Sequence, residues 1–368
     1  PPRRIIHKGY IKGFLTGTAA TGGTGKTSLL DVEAISLAIG RDLLDSRKPI
    51  KAGPQRVLIL SLEDDEEELR RRHVAAVNHY RLTDDEWALY DKNIRAIFDD
   101  SGDLCVAADV GGTVVHYQPA IDHIKAEISD FRADIVTIDP LMSIHAVNEN
   151  SNPQLNEVVK IFREIARECD VAVHYSHHNR KGGNSTADDM RGAVALRDGS
   201  RQLRMLSRMT QEEATQLNVD YKDTAFLMGE FSGKANLQPP ALGKKWYRFH
   251  SVDLDNADEQ YDSDRVGVVS SWNAPDLFEG IGLDSCKAAW TAIQNAPEEK
   301  RRESSQASDW VGHIVAKEVG LDVSNKSDKR RVSSMLSEWV KSGQLEVYKV
   351  PNDKGKDVPY ITVSVSPL

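Results

Sequence analysis

The sequence predicts an α/β fold, with a mostly parallel sheet flanked by helices and a smaller C-terminal unit of three helices and a hairpin. Three observations lead there. Short apolar runs alternate with helical patterns through about residue 175, a glycine-rich turn joins the first strand candidate to a helix, and the pattern changes after about residue 284. Strand–helix–strand alternation favours parallel pairing, because a crossover helix must return the chain to the same end of the sheet.

Taken in order, residues 13–17 form a short strand candidate before the turn at 20–27, and 28–38 follow with helical apolar spacing. Val57 to Leu62 is a buried-strand run, with a charged helix from about Asp65 to Tyr80 after it. Ile135 to Ile138 and Val171 to Tyr175 are two more strands, separated by a helix from about Pro153 to Glu168. Pro153 suits a first helical turn, and Leu155, Val158, Val159, Phe162, Ile165 and Ala166 share one face of that helix. From about Ser200 the pattern becomes strands linked by turns, at 201–209, 225–231 and 245–252, which predicts an added antiparallel section. The α/β core is therefore expected over 1–250. Residues 251–283 are expected to be an acidic linker or extension, since Asp253, Asp255, Asp258, Glu259, Asp262 and Asp264 have no balancing base nearby and only a short apolar strand (266–269) follows. The C-terminal unit is expected over 284–368, with helices at 285–295, 306–319 and 328–342 and a hairpin from Leu345 to Val350 and Val358 to Val365. Three helices followed by a two-stranded wing is the order of a winged helix-turn-helix.

Composition bounds the function. The 368 residues suit two domains. No apolar run approaches the roughly 20 residues needed to span a bilayer. No secretory signal is visible in a chain that begins at Pro1, and Cys105, Cys169 and Cys286 have no metal spacing, so a reducing cytoplasm is the expected location. Net charge is −9; residues 284–368 hold 13 of the Lys/Arg and 12 of the Asp/Glu, leaving 34 against 44 before them. Nucleic-acid binding would therefore rest on local basic loops.

The turn at 20–27 carries the chemistry. In Ala-Thr-Gly-Gly-Thr-Gly-Lys-Thr, Gly22, Gly23 and Gly25 admit close approach of backbone N–H groups to a phosphate, with Thr24 and Ser28 in the same cradle. Ala20 stands where the pattern usually has glycine. Lys26 can reach β and γ oxygens, and the Thr27 hydroxyl can sit on Mg²⁺. Asp139, which ends an apolar strand, is the expected second Mg²⁺ group. Glu63, directly after the strand 57–62, is the expected catalytic carboxylate, with Asp64 and Asp65 as competitors. His177 and His178, after the strand 171–175, can sense a γ-phosphate. Arg180 and Lys181 open a basic, glycine-rich loop, read either as a nucleic-acid contact or as a lid. Arg191, Arg197, Arg201, Arg204 and Arg208 crowd the next stretch; one can act in trans on a neighbouring subunit's nucleotide, and the rest read as surface or phosphate contacts. Lys234 is a second cationic candidate. Lys326, Lys329, Arg330 and Arg331 cluster at the start of the third C-terminal helix, read either as a DNA contact or as a solvated or protein-docking face.

The set resembles the RecA-like fold, and in particular the plasmid-type RepA hexameric replicative helicases, over roughly residues 10–250. The resemblance rests on Gly-Gly-Thr-Gly-Lys-Thr at 22–27, Leu-Glu-Asp at 62–64, Ile-Asp-Pro-Leu at 138–141 with His145 and Glu149-Asn150, His177-His178, Arg191-Gly-Ala with Arg201, and Ser-Gly-Lys-Ala-Asn at 232–236. It implies ATP and Mg²⁺ as cofactors, Glu63 as catalytic carboxylate, His177 or His178 as γ-phosphate sensor and Arg201 as the trans arginine. It further implies a homo-hexameric ring with single-stranded DNA in its channel, touched by loops at about 145–152 and 180–189, and a primase or initiator protein as a further partner. The expected activity is an ATP-driven helicase or translocase in the replication of a phage or mobile element. A second expectation is an ATP-switched DNA-binding or loading protein without strand separation, and a third is a filament-forming strand-exchange recombinase.

Overall fold

The computed structural model describes residues 2–45, 48–99, 102–179, 194–217, 219–235, 243–352 and 355–364. The chain forms two compact units: one comprises residues 1–209 and 226–272, the other 210–225 and 273–368.

The first unit contains strands β1 (Ile5–His7), β2 (Tyr10–Ile11), β3 (Leu15–Thr21), β4 (Val57–Ser61), β5 (Ile94–Phe98), β6 (Ala107–Val110), β7 (Thr113–His116), β8 (Ile135–Asp139), β9 (Ala172–Asn179), β10 (Gln202–Arg208), β11 (Leu227–Ala235), β12 (Lys245–Asp253) and β13 (Arg265–Trp272). Its helices are α1 (Lys26–Ile39), α2 (Glu66–Tyr80), α3 (Asp84–Asn93), α4 (Gln118–Phe131), α5 (Asn152–Glu168) and α6 (Val194–Gly199). Nine strands form one sheet in the order β13-β12-β11-β10-β3-β9-β8-β4-β5. From β5 to β10 the neighbours are parallel, and β10 to β13 are antiparallel. This is the mostly parallel, RecA-like arrangement expected. β10 differs from expectation: it pairs parallel with β3 and antiparallel with β11, so it joins the two halves of the sheet.

Helices cover both faces, which is why β4 and β8 read as unbroken apolar runs. On one face Ile121, Ile124 and Ile128 of α4 pack with Leu155, Val158 and Phe162 of α5; on the other, Leu29, Val32 and Ile35 of α1 pack with Ala75, Ala76 and Tyr80 of α2. Local chemistry sets the helix ends. Gly40 stops α1 in a left-handed conformation at φ 75°, Asp65 caps α2, and Thr83 with Glu86 forms a capping box on α3.

The acidic stretch differs from the expected linker. Residues 254–264 join two paired strands, β12 and β13, at the edge of the large sheet. Two of its carboxylates do have bases: Asp264 lies 3.3 Å from Arg71 and Asp253 lies 3.4 Å from Arg265. Arg71 comes from α2, far away in sequence, whereas Arg265 directly follows the acidic stretch and reaches back to Asp253 through the β12–β13 pairing.

In the second unit, α7 (Gln211–Gln216) precedes α8 (Leu283–Asn295), α9 (Gly312–Val319), α10 (Lys326–Lys341) and the hairpin of β14 (Leu345–Pro351) with β15 (Asp357–Val363). Its core includes Ala289, Ile293, Trp310, Val315, Val332, Met335 and Trp339. Three helices and a hairpin follow in the order expected, although α9 is shorter than the 306–319 reading. Residues 210–225, which come from between β10 and β11, cluster with this unit rather than the first. No helix among the described residues is long and apolar enough to cross a membrane. Cys105, Cys169 and Cys286 are free thiols.

Candidate nucleotide site

The turn after β3 is built to leave backbone donors exposed. Gly23 and Gly25 have φ of 71° and 104°, the left-handed region that glycine enters without penalty. A Cβ on residue 25 would also meet the Phe249 ring at 2.0 Å. Thr24 is buried and folds back, its hydroxyl donating to the Thr21 carbonyl at 2.7 Å. No side chain caps the start of α1, so its first-turn N–H groups and the positive end of its dipole face the open side of the turn, as phosphate binding requires. Arg208, at the end of β10, donates to the Gly23 carbonyl and holds the turn from outside.

Four parallel strands bring their carboxyl ends to this place, where ligands bind on open α/β sheets. Lys26 is buried, and its ammonium donates to His178 Nδ1 at 3.0 Å. That bond leaves the His178 proton on Nε2, which lies 3.6 Å from Glu63 Oε2. Burial holds the Lys26 ammonium below its ordinary pKa, while Asp139 and Glu63 pull it back up. Asp139 accepts from Ser176, and the nearby Thr27 side chain also favours its charged form, yet burial still pushes its carboxyl up. His177 is buried and held neutral, its pKa lowered to about 4 first by burial and then by His178, Lys26 and His145. Its Nδ1 has no hydrogen-bond partner among the described residues. Burial also lowers His145 to about 4.

The acidic run after β4 separates by role. Asp64 lies 3.2 Å from Arg72, and Asp65 caps α2 by accepting from the Glu68 N–H at 2.8 Å. Glu63 is the carboxylate of this run beside His178. Ser176, directly before the histidine pair, is a site residue that the sequence does not mark, because its partner Asp139 comes from another strand.

The residues fit Mg·ATP. An uncapped helix start suits the phosphates, and a desolvated carboxylate near a threonine hydroxyl is a hard-oxygen pair suited to Mg²⁺. Thr27 and Asp139 would hold the ion, which would neutralise charge on the phosphates. Asp139→Asn is expected to weaken Mg·ATP binding about tenfold or more while leaving Mg-free ATP binding within a few-fold. Calorimetric titration with and without Mg²⁺ checks this.

The other sequence candidates scatter. Arg201 lies at the opposite, amino-terminal edge of the sheet, where its backbone N–H donates to the Leu15 carbonyl at 3.0 Å. Lys234 donates to the carbonyls of Arg197 and Asp198 at 2.9 and 3.0 Å. Arg197 pairs with Asp198 at 3.2 Å. Arg204 is not the surface or phosphate contact expected of it: it is buried, forked onto Glu33, with Nε donating to Thr18 at 2.6 Å. Arg180, Lys181 and Arg191 lie outside the described residues.

In the second unit, Lys326 is exposed at the start of α10. Lys329 sits 5.8 Å over the Trp310 ring, Arg330 pairs with Asp220 at 3.0 Å, and Arg331 donates to the carbonyls of Leu277 and Glu279. Three of the four cations expected to contact DNA are thus engaged within their own unit. Among the described residues no group of His, Cys, Asp or Glu is arranged as a metal cluster, so a Mg²⁺ site here would depend on nucleotide oxygens as well as Thr27 and Asp139. One protein family, AAA_25, described as an AAA domain, matches residues 1–184, the half of the chain that contributes Lys26, Glu63, Asp139 and the histidine pair.

Proposed function

The chain belongs to the AAA_25 family of AAA domains and is a P-loop ATPase, and from that premise we propose that it is a ring-forming motor of the RepA type that couples ATP hydrolysis to movement on single-stranded DNA. The observation that carries the proposal is the Lys26–His178–Glu63 chain at the carboxyl ends of β4 and β9. Backbone donors of residues 22–28 bind the phosphates, and Lys26 turns from His178 toward the β and γ oxygens. Mg²⁺, when bound, offsets charge on those oxygens. Glu63 orients the attacking water. His178, released by Lys26, follows the γ-phosphate, and His177, neutral beside it, can donate or accept without a charge cost. Both lie on β9, which leads into the 180–189 segment proposed to touch DNA. The ring would be a homo-hexamer serving replication of a phage or mobile element, with a primase or initiator as a further partner.

Arg201 supports the trans arrangement by its position. It stands at the far edge of the sheet from its own Lys26, so a neighbouring subunit's nucleotide is the one it can serve. Arg201→Ala is expected to reduce ATP turnover roughly 10³-fold or more while nucleotide affinity of each chain stays unchanged; steady-state turnover and calorimetry check it, and normal turnover would remove Arg201 from this role.

A strand-displacement assay tests the function as a whole. ATP-dependent unwinding of a tailed duplex is expected. DNA-stimulated ATP turnover without unwinding would move the reading to an ATP-switched loading protein. That second reading relies on a DNA-binding face on α10, and the engagement of Lys329, Arg330 and Arg331 tells against it.

A further inference from the structure

A cavity of about 290 Å³ opens beside the start of β3, lined by Gly13, Phe14, Leu15, Gly199 and three arginines, Arg163, Arg167 and Arg201. Arg163 and Arg167 are one turn apart on α5 and so project from one face. The Arg201 guanidinium stands over the Phe14 ring, 5.5 Å from its centroid, in a cation–π contact.

None of the three has a carboxylate partner among the described residues. Carboxylates close to them in sequence are committed elsewhere: Glu168 to Lys125 at 2.7 Å, Asp198 to Arg197 at 3.2 Å, and Asp170 to Arg4. Glu164 does not line the cavity. The charge is felt nearby, since the Lys234 ammonium is held below its ordinary pKa by burial and then by Arg201, Arg197 and Arg163, against the pull of Asp198. A cation in the last turn of α5 would answer the helix dipole, but that calls for one guanidinium and not three around a shared space.

We infer that Arg163, Arg167 and Arg201 form a receptor for a phosphate chain, separate from the P-loop of the same molecule. Guanidinium forks match phosphate oxygens in pairs, and a multivalent anion would neutralise the three like charges at once. The cavity lies at the low end of ligand sites, roughly 300–1,000 Å³, a size that suits a short phosphate chain rather than a whole nucleotide. β3 alone, with seven residues, separates the cavity from the P-loop by about 20 Å, so the molecule's own nucleotide cannot fill it. The phosphate chain belongs either to a nucleotide held by a second copy of this chain or to a free anion. Only the first source rests on the motor reading.

The probe is inorganic tripolyphosphate, titrated calorimetrically into the full chain carrying Lys26→Ala, which removes the P-loop as a competitor. Binding is expected, weakened about tenfold or more for each guanidinium removed when Arg163→Gln and Arg167→Gln are added. Unchanged thermal unfolding of the variants verifies their fold. No binding to the Lys26→Ala chain, or unaltered affinity after both replacements, overturns the inference. Mixing the Lys26→Ala chain with an Arg163→Gln/Arg167→Gln chain separates the sources. ATP turnover above that of either alone assigns the phosphate to a neighbour's nucleotide, and no gain alongside retained tripolyphosphate binding assigns it to a free anion. Should the chain prove to have no DNA-driven turnover, the tripolyphosphate titration still decides the site.

Discussion

Lys26→Ala is expected to abolish DNA-stimulated ATP turnover, a fall of about 10³-fold or more, while the chain stays folded. The size follows from where Lys26 sits. It is the buried cation at the turn that grips the phosphates, and its present partner is the His178 ring rather than a carboxylate at salt-bridge distance. Its ammonium is therefore available to a stronger anion. Removing it leaves charge developing on the γ-phosphate without its nearest cation, and also frees His178 from its Nδ1 bond. Initial-rate measurements with and without oligonucleotide decide the matter, and undiminished turnover in the variant would refute the assignment of the site.

Glu33→Gln is expected to destabilise the first unit by about 3–5 kcal/mol, the usual result of removing one partner from a buried ion pair. Glu33 lies two turns into α1 and holds Arg204 of β10, and both are buried. The network spreads across the sheet. Tyr10 donates to Glu33 at 2.8 Å, Arg204 donates to Thr18 at 2.6 Å, and His174 meets Thr16 and Thr18 at 2.8 Å each. The variant leaves the buried Arg204 guanidinium with the more distant Glu230, at 3.7 Å, as its remaining counter-charge. Replacing both residues by apolar side chains is expected to recover much of the loss. Urea unfolding of single and double variants, followed with a probe in the first unit, checks both statements.

The same network makes the fold acid-sensitive, with a sign that can be worked out. Burial opposes the Glu33 charge, but Arg204 and its hydrogen bonds outweigh burial and bring the folded pKa from 4.5 down to about 2. The unfolded chain then binds more protons between these values, so the stability Glu33 contributes is complete above about 4.5 and is lost as pH falls toward 2. It amounts to about 3 kcal/mol at 1.36 per unit. His174 acts in the same direction: burial lowers it from 6.5 to about 3, so unfolding takes up a proton below 6.5 and stability falls as pH drops through that window. Glu33→Gln should therefore flatten the steepest part of the profile, between about pH 4.5 and 2, and leave the shallower loss from 6.5 downward.

What could be read from the residue order follows a physical rule. The phosphate turn, Glu63, Asp139 and the histidine pair, each a local pattern at the end of an apolar strand, come together in the structure because a parallel sheet collects strand ends. What escaped depended on partners distant in sequence. Arg204 looked like one of a crowd of surface arginines; its partner Glu33 is 171 residues away and on a helix. Ser176 acts on Asp139 from the neighbouring strand, and Phe249 closes on Gly25 from the far side of the sheet. The acidic residues 253–264 looked like a linker because sheet pairing of β12 with β13 leaves no mark in composition. Strands β5, β6 and β7 leave little mark in the sequence, since β5 is half-buried throughout and β6 and β7 are short and largely exposed, which blurs their apolar period. On α10 the cluster of cations was visible, but its engagement with Asp220, Leu277 and Glu279 was not.

Titration of Mg·ATP into the folded 368-residue chain by calorimetry tests the central claim most directly. The account predicts saturable binding at one site per chain, lost in Lys26→Ala and dependent on Mg²⁺ through Asp139. A flat titration from well-folded protein would contradict it.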